Sequence, residues 1–311
     1  MQQITNSIVM IRPVAFRMNE ETKVNNFYQK EANGMLPATI NAKAQLEFDA
    51  FVAKLLAVGV NVIVVEDTTD TDTPDSIFPN NWVSFHENGD VAIYPMFAEN
   101  RRLERREDIL DRLEESGFII ENVMDYSEAE EEQLYLEGTG SMVLDRANGK
   151  AYCALSPRAD EELFIEFCED FEFTPVIFNA YQTVNDKREL IYHTNVMMCV
   201  GDTFAVVCAD CIDDKTERKN VLENLRQDGK EIILINEKQV SQFAGNMLEV
   251  FGADDKRYLV MSDQAKESLT AKQIEQLEKH ATIISSNIET IEHYGGGSAR
   301  CMMAEIFLPK E

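Results

Sequence analysis

A helix-patterned segment, a short apolar strand and a tight β-hairpin follow one another five times along this 311-residue chain. A unit of that size cannot bury its own apolar face and needs neighbours to complete a core. Asn81, Glu137, His193, Asn246 and Cys301 lead into the successive hairpins, at a repeat of roughly 55 residues, the length of a supersecondary unit. Units arranged about a pseudo-fivefold axis would turn these residues toward one central channel. There an acid, an imidazole and a thiol would face each other, the basis of a nucleophilic enzyme.

In the first unit, residues 43–59 put Leu46, Phe48, Phe51, Leu55 and Leu56 near one helical face, and NVIVVE at 61–66 follows as a buried strand. The hairpin VSFHENGDVAIYPM turns at Asn88-Gly89, the strongest short hairpin signal. The second unit predicts a helix at 103–116, a strand at 118–123 and a hairpin turning at Asn148-Gly149. The third has a helix at 159–171, PVIFNA and a hairpin turning at Gly201-Asp202. The fourth runs from a helix at 215–228 through EIILIN to the hairpin MLEVFGADDKRYLVMS. The fifth has a helix at 264–280, the strand TIISS and a final apolar run from Cys301 to Leu308 without a hairpin partner. The orphan strand SIVMIR at 7–12 can fill that place, closing the ring and leaving no sheet edge exposed. No linker or low-complexity tract interrupts the pattern, so one α/β domain over 1–311 is expected. A doubly wound open sheet fits less well, because parallel sheets do not carry a hairpin in every unit.

The balance of 29 basic against 56 acidic residues gives a net charge of −27. Such a surface repels phosphate backbones and anionic membranes, which argues against nucleic acid or membrane partners. Its plainest role is solubility. The start, MQQITNSIVMIRP, has neither the basic lead nor the apolar core of a secretory signal, so a cytoplasmic location is expected. Six cysteines without framework spacing then read as free thiols. Cys208 and Cys211 form a single C-x-x-C with no second pair, and no metal site is predicted.

Cys301 follows His293-Tyr294 and three glycines, then Ser298-Ala299-Arg300. Consecutive glycines allow very close backbone approach or positive φ just before the thiol. His193 stands at the matching place of another unit, and an imidazole near a thiol can accept its proton, protonate a leaving amine and then activate water. Glu137, flanked by Leu136 and Gly138, can orient that imidazole and accept N–H bonds from a substrate. His86 and His280 read as structural, and His293 is left open.

At these residues the chain resembles the guanidino-group modifying superfamily, also called penteins or amidinotransferase-like proteins. The segments from Pro74 to Asn81, Leu136-Glu137-Gly138, His193 and the glycine-rich run to Cys301 match its motifs in order across nearly the whole chain. Each alone is weak, and together they are specific. IRPVAF, FPNNW, LEGTGS and GGGSARCMMAEIF resemble the citrulline-utilization hydrolases most closely. The resemblance implies a five-bladed α/β propeller, no cofactor, a small amino-acid substrate, Cys301 as nucleophile, His193 as acid then base, and Glu137 as its partner. It also implies substrate contacts from Asn81, Asn195 and Asp75, with Asp75 meeting an α-amino group and Arg102 and Arg158 clamping a carboxylate, for which a guanidinium fork is suited. A homo-oligomer is left open.

The chain departs from arginine deiminases at Asn81, Gly140 and Asn195, where those enzymes place aspartates. A guanidinium is permanently cationic and costly to bury without negative charge, on the order of several kcal/mol. A ureido group is neutral, and amides can both donate to its oxygen and accept from its N–H groups. The expectation is a hydrolase cleaving citrulline, or a close analogue, to ornithine, ammonia and carbon dioxide. Arginine or methylarginine deimination, amidino transfer and a non-catalytic amino-acid binder are the alternatives.

Overall fold

The computed structural model describes residues 1–31 and 34–310. Among them are five three-stranded sheets of one design, and one extra two-stranded hairpin. In each sheet two antiparallel strands are followed by a third that lies parallel to the second. A helix precedes that third strand, as a parallel return requires. The second sheet joins Val83–Phe85, Asp90–Ile93 and Asn122–Asp125; the third joins Met142–Asp145, Lys150–Ala154 and Thr174–Phe178. The fourth joins Met198–Val200, Phe204–Val207 and Glu231–Leu234; the fifth joins Leu248–Phe251, Arg257–Ser262 and Thr282–Ser286.

The first sheet is made from both ends of the chain. Ser7–Arg12 pairs antiparallel with Ala304–Glu305 and parallel with Asn61–Glu66, so SIVMIR takes the place anticipated for it. Thr5 Oγ1 donates to the Ile306 carbonyl at 2.8 Å, and the Ile306 amide donates to Ser7 O at 2.8 Å. The C-terminal run is otherwise not a strand: residues 299–302 form a tight helical turn, and only Ala304 and Glu305 pair. Gly89 (φ +88°) and Gly149 (φ +60°) supply the left-handed residue of their hairpin turns.

Several boundaries differ from the sequence reading for local reasons. The first helix begins at Pro37, where proline's missing N–H costs nothing, and ends at Ala57. Phe48, Phe51 and Leu55 are buried, but Leu46 and Leu56 are 71% and 53% exposed because at about 100° per residue they lie off that stripe. The second helix is shorter than expected, Glu107–Glu115. The following strand starts at Asn122, because residues 118–120 face the C-terminus instead: Phe118 bridges Lys310, and Ile119 N donates to Pro309 O at 2.9 Å. The helix expected at 264–280 is two, Asp263–Ser268 and Ala271–Leu277, separated where Thr270 and Gln273 form a capping box. The hairpin Tyr181–Val184 with Lys187–Leu190 was not foreseen; it turns on Asn185 and Asp186, both at positive φ.

The residues leading into four hairpins sit in or at the start of short helical turns: Pro79–Asn81, Gly138–Ser141 after Glu137, Thr194–Val196 after His193, and Ala299–Met302 containing Cys301. These tight turns, rather than the strands, aim the side chains. No helix among the described residues is long and apolar enough to cross a membrane.

Ile306 is buried with Val9, Ile11 and Trp82 where the chain ends meet. Ile306→Ala is expected to cost about 2–5 kcal/mol in urea unfolding. A loss below about 1 kcal/mol, the scale of a surface change, would show that this junction does not hold the first sheet.

Candidate active site

Glu137, His193 and Cys301 come from three different units and are all buried. His193 Nε2 lies 2.7 Å from Glu137 Oε2. The other carboxylate oxygen, Glu137 Oε1, accepts the Phe97 backbone N–H at 3.0 Å. Arg158 Nη1 stands 3.4 Å and Arg101 Nη1 3.9 Å from Glu137 Oε2. Burial alone would raise the Glu137 carboxyl, but Arg158, the His193 hydrogen bond and Arg101 outweigh it and hold the group well below the usual carboxylate range. Burial, opposed by Glu137 and aided by Arg158 and Arg101, brings the His193 imidazole down to about 4. At neutral pH the ring is therefore uncharged. An ionised carboxylate only accepts, so Nε2 carries the hydrogen and Nδ1 presents its lone pair.

That lone pair faces Gly140. A Cβ at this position would sit 2.7 Å from His193 Nδ1 and closer still to Asn81 Nδ2, so the site has no room for a side chain where arginine deiminases carry an aspartate. Asn81 is fixed by Arg101, whose Nη1 donates to Asn81 Oδ1 at 2.8 Å, which leaves the amide N–H₂ as the group turned toward Gly140.

The Cys301 sulfur meets two amides. Asn246 Nδ2 lies 3.3 Å and Asn195 Nδ2 3.6 Å from Sγ. Asn246 is held by the Arg300 N–H on its Oδ1 at 3.0 Å and by its own bond to Asn195 O at 3.0 Å. Sequence reasoning placed Asn246 in the repeat without giving it a role; its repeat position was the available signal. The glycine run before Cys301 serves close approach. A Cβ on Gly295 or Gly297 would run into the Phe78 ring at 2.7 and 2.9 Å, and Gly296 has φ +64°. Tyr192 Oη donates to Gly296 O at 2.7 Å, and Gln29 Nε2 to Gly295 O at 3.1 Å.

Cys301, His193, Asn81, Asp75, Arg101 and Arg158 line one narrow cavity of about 10 Å³, too small for a single amino acid. Asp75 Oδ2 accepts from Asn19 Nδ2 at 2.9 Å and Thr22 Oγ1 at 3.2 Å, whereas Oδ1 has no partner among the described residues. Burial raises the Asp75 carboxyl. Arg158 is buried against Tyr192 and hydrogen-bonds Asn25 and Thr22 O. Arg102 does not line the cavity. Its Nε donates to Met96 O at 3.1 Å and pairs with Glu130 at 3.3 Å. The neighbouring Arg101 lines it instead, in a buried ion pair with Glu104 at 2.9 Å; consecutive residues of one helical turn point about 100° apart and cannot both face the same space. All six cysteines are free and buried, and no acid, cysteine or histidine cluster suited to a metal occurs among the described residues.

The His193 environment makes a stability statement. Between about 4 and the ordinary 6.5 the unfolded chain binds a proton that the folded chain refuses, so stability rises with pH across that window. The integrated effect is on the order of 3 kcal/mol. Glu137 acts in the same direction, its stabilisation being lost on acidification. His193→Gln is expected to flatten the rise of unfolding free energy from pH 4 to 6.5 relative to the parent, measured in urea at several pH values. A variant with the parent's slope would show that the imidazole is not buried neutral.

A family model described as N,N dimethylarginine dimethylhydrolase, eukaryotic, matches residues 12–308. No curated protein matches the chain. Among solved structures, the apo form of ArgZ, an arginine dihydrolase from the ornithine-ammonia cycle in cyanobacteria, superposes with a TM-score of 0.74 at 15% identity, over 98% of this chain and 41% of that one. The N-terminal domain of ArgZ, as a cysteine-to-serine variant bound to substrate, gives 0.71 at 15% identity over 97% and 99% of the two chains. A histidine-to-glycine variant of dimethylarginine dimethylaminohydrolase in an adduct with S-methyl-L-thiocitrulline gives 0.64 at 14% identity over 97% and 100%. The chain thus spans about two fifths of full-length ArgZ, and the likeness at these identities is one of fold. The match over residues 12–308 decides the family: this chain belongs to the eukaryotic-type N,N dimethylarginine dimethylhydrolases, within the pentein superfamily of guanidino-modifying enzymes.

Proposed function

We propose that this chain is a cysteine hydrolase whose substrate carries an uncharged ureido group, with L-citrulline as the first candidate, in a single domain of five units closed into a propeller. One observation carries the choice of substrate: the groups nearest Cys301 Sγ and His193 Nδ1 are the amides of Asn81, Asn195 and Asn246 and the bare backbone of Gly140, while Asp75, which also lines the cavity and keeps one carboxylate oxygen unpartnered, is assigned to the α-ammonium. Glu137 is already shared by His193, Arg158 and Arg101, and Glu104 by Arg101. With Asp75 assigned to the α-ammonium, a guanidinium would add a cation beside acids already shared by arginines, whereas a ureido carbonyl finds N–H donors.

In this reading the Cys301 thiol gives its proton to His193 Nδ1 as sulfur bonds to the ureido carbon. The proton then passes to the departing amine, whose C–N bond breaks, releasing ornithine and leaving an S-carbamoyl group. Water loses a proton to Nδ1, its oxygen takes the carbamoyl carbon, and the sulfur recovers a proton. The carbamate released decomposes to ammonia and carbon dioxide. Glu137 stabilises the transient imidazolium, and amide donors stabilise the oxyanion, each donor worth about 3–4 kcal/mol in related chemistry. The unpartnered Asp75 Oδ1 is placed for an α-ammonium. Arg158, which lines the cavity, would meet the carboxylate. The family match favours a second reading, hydrolysis of a methylated arginine to citrulline.

Purified protein incubated separately with citrulline, arginine and dimethylarginine, with ornithine, citrulline and ammonia assayed, separates the readings. Ornithine with ammonia from citrulline is the expected result. Citrulline formed from dimethylarginine, with citrulline itself inert, would replace the first reading by the second. Cys301→Ala should lower turnover by roughly 10⁴-fold or more. Gly140→Ala, by displacing His193, should cost about 100-fold in kcat with folding retained; undiminished turnover would mean that His193 Nδ1 takes no part.

A further inference from the structure

The fully buried amide of Asn246 has every one of its polar groups engaged by another turn. Its Oδ1 accepts the Arg300 N–H at 3.0 Å, and its Nδ2 donates to Asn195 O at 3.0 Å. A backbone N–H only donates and a carbonyl only accepts, so these two partners fix which end of the amide is nitrogen. One hydrogen on that nitrogen remains, and Cys301 Sγ lies 3.3 Å away. Asn195 is held less firmly: its Nδ2 donates to Thr139 O at 3.2 Å and stands 3.6 Å from Sγ, and its Oδ1 meets only the sulfur, at 3.9 Å.

The chain beside Asn246 is built for close approach. A Cβ on Gly245 would sit 2.4 Å from Val196 O and 2.7 Å from the Met197 carbonyl carbon. Phe243 turns the chain at φ +61°, a conformation costly for a side chain, and Asn246 N donates to Phe243 O at 2.9 Å. Negative charge on the sulfur has little other support. His193 is uncharged at neutral pH, Arg158 bonds Glu137, Thr22 O and Asn25, and Arg101 bonds Glu104 and Asn81. An uncharged ureido group brings no cation either. Among the described residues, the hydrogen bonds that Sγ receives come from amides.

We propose that Asn246 is a further catalytic residue, whose N–H stabilises Cys301 whenever the sulfur carries negative charge. This role rests on Cys301 being the nucleophile. An N–H bond to an ionised acceptor is about twice as strong as one to a neutral acceptor. The contact therefore tightens as the thiol proton passes to His193 Nδ1, and slackens when the sulfur electron pair closes the bond to the ureido carbon. It tightens again when that C–S bond breaks and the pair returns to sulfur. Asn81 and Asn195 are left to the oxyanion, so the amides divide between two charges.

The test is the rate at which iodoacetamide alkylates Cys301 in the absence of substrate, followed on its peptide by mass spectrometry. The thiolate, not the thiol, reacts. Asn246→Ala is expected to slow alkylation about tenfold or more at pH 7, the scale of one lost hydrogen bond to a charged group. At about pH 9.5, where an ordinary thiol is largely ionised, the variant should react no more slowly than the parent. Equal slowing at both pH values would mean that Asn246 only shapes the turn, and an unchanged rate at pH 7 would mean that its N–H does nothing for the sulfur; either overturns the proposal. If Asn246→Ala fails to fold, Asn246→Asp decides. It keeps an oxygen for the Arg300 N–H and puts a carboxylate in place of the donor, so a rate at pH 7 that does not fall by about tenfold would overturn the proposal. A parent Cys301 that is never alkylated would overturn the nucleophile itself, and this role with it.

Discussion

The Glu137–His193 contact governs everything else at the site. A carboxylate with no exposure to water is ionised only because two arginines and an imidazole N–H surround it. Breaking such an arrangement by removing one partner leaves an uncompensated buried charge, which costs several-fold more than a surface pair is worth, on the order of 3–5 kcal/mol. Burial, with a smaller contribution from the same arginines, keeps the imidazole neutral, so Glu137 orients the ring without charging it. A neutral ring with a defined tautomer is what a proton shuttle between a thiol and an amine requires.

Glu137 and His193 are brought together by packing among the short turns that precede the hairpins. Gly138 has φ +46°, and a Cβ there would press on the Asn80 and Asn81 carbonyls, so the turn after Glu137 fits against the turn of another unit only without a side chain. Asn80 Nδ2 and Thr139 Oγ1 join the same two turns at 3.2 Å. The repeat thus delivers three chemically distinct residues to one place, and small residues beside them allow the approach.

Much of this was legible in the residues. The hairpins at Asn88-Gly89 and Asn148-Gly149, the apolar strands and the pairing of the orphan SIVMIR run with the C-terminal run follow rules of local periodicity and turn chemistry. Glu137, His193 and Cys301 were marked by matching positions in successive units. What the sequence did not show depends on orientation. Arg101 and Arg102 are equivalent on paper, and only the direction of a four-residue helix turns Arg101 inward and Arg102 toward Glu130. Leu46 and Leu56 were grouped with Phe48, Phe51 and Leu55 by too broad a reading of helical spacing, and the helix turns them outward. The role of Asn246 needed the fold as well, because its amide finds the sulfur across units.

The amides around Cys301 and the crowding at Gly140 are the features on which the proposed choice of an uncharged substrate group rests. The most direct measurement is mass spectrometry of intact protein from acid-quenched citrulline turnover, with the modified peptide mapped. A carbamoyl group on Cys301, absent from the Cys301→Ala protein, is the predicted result. An unmodified Cys301 during observed turnover, or a carbamoyl group on another residue, would contradict the assignment of this thiol as the nucleophile.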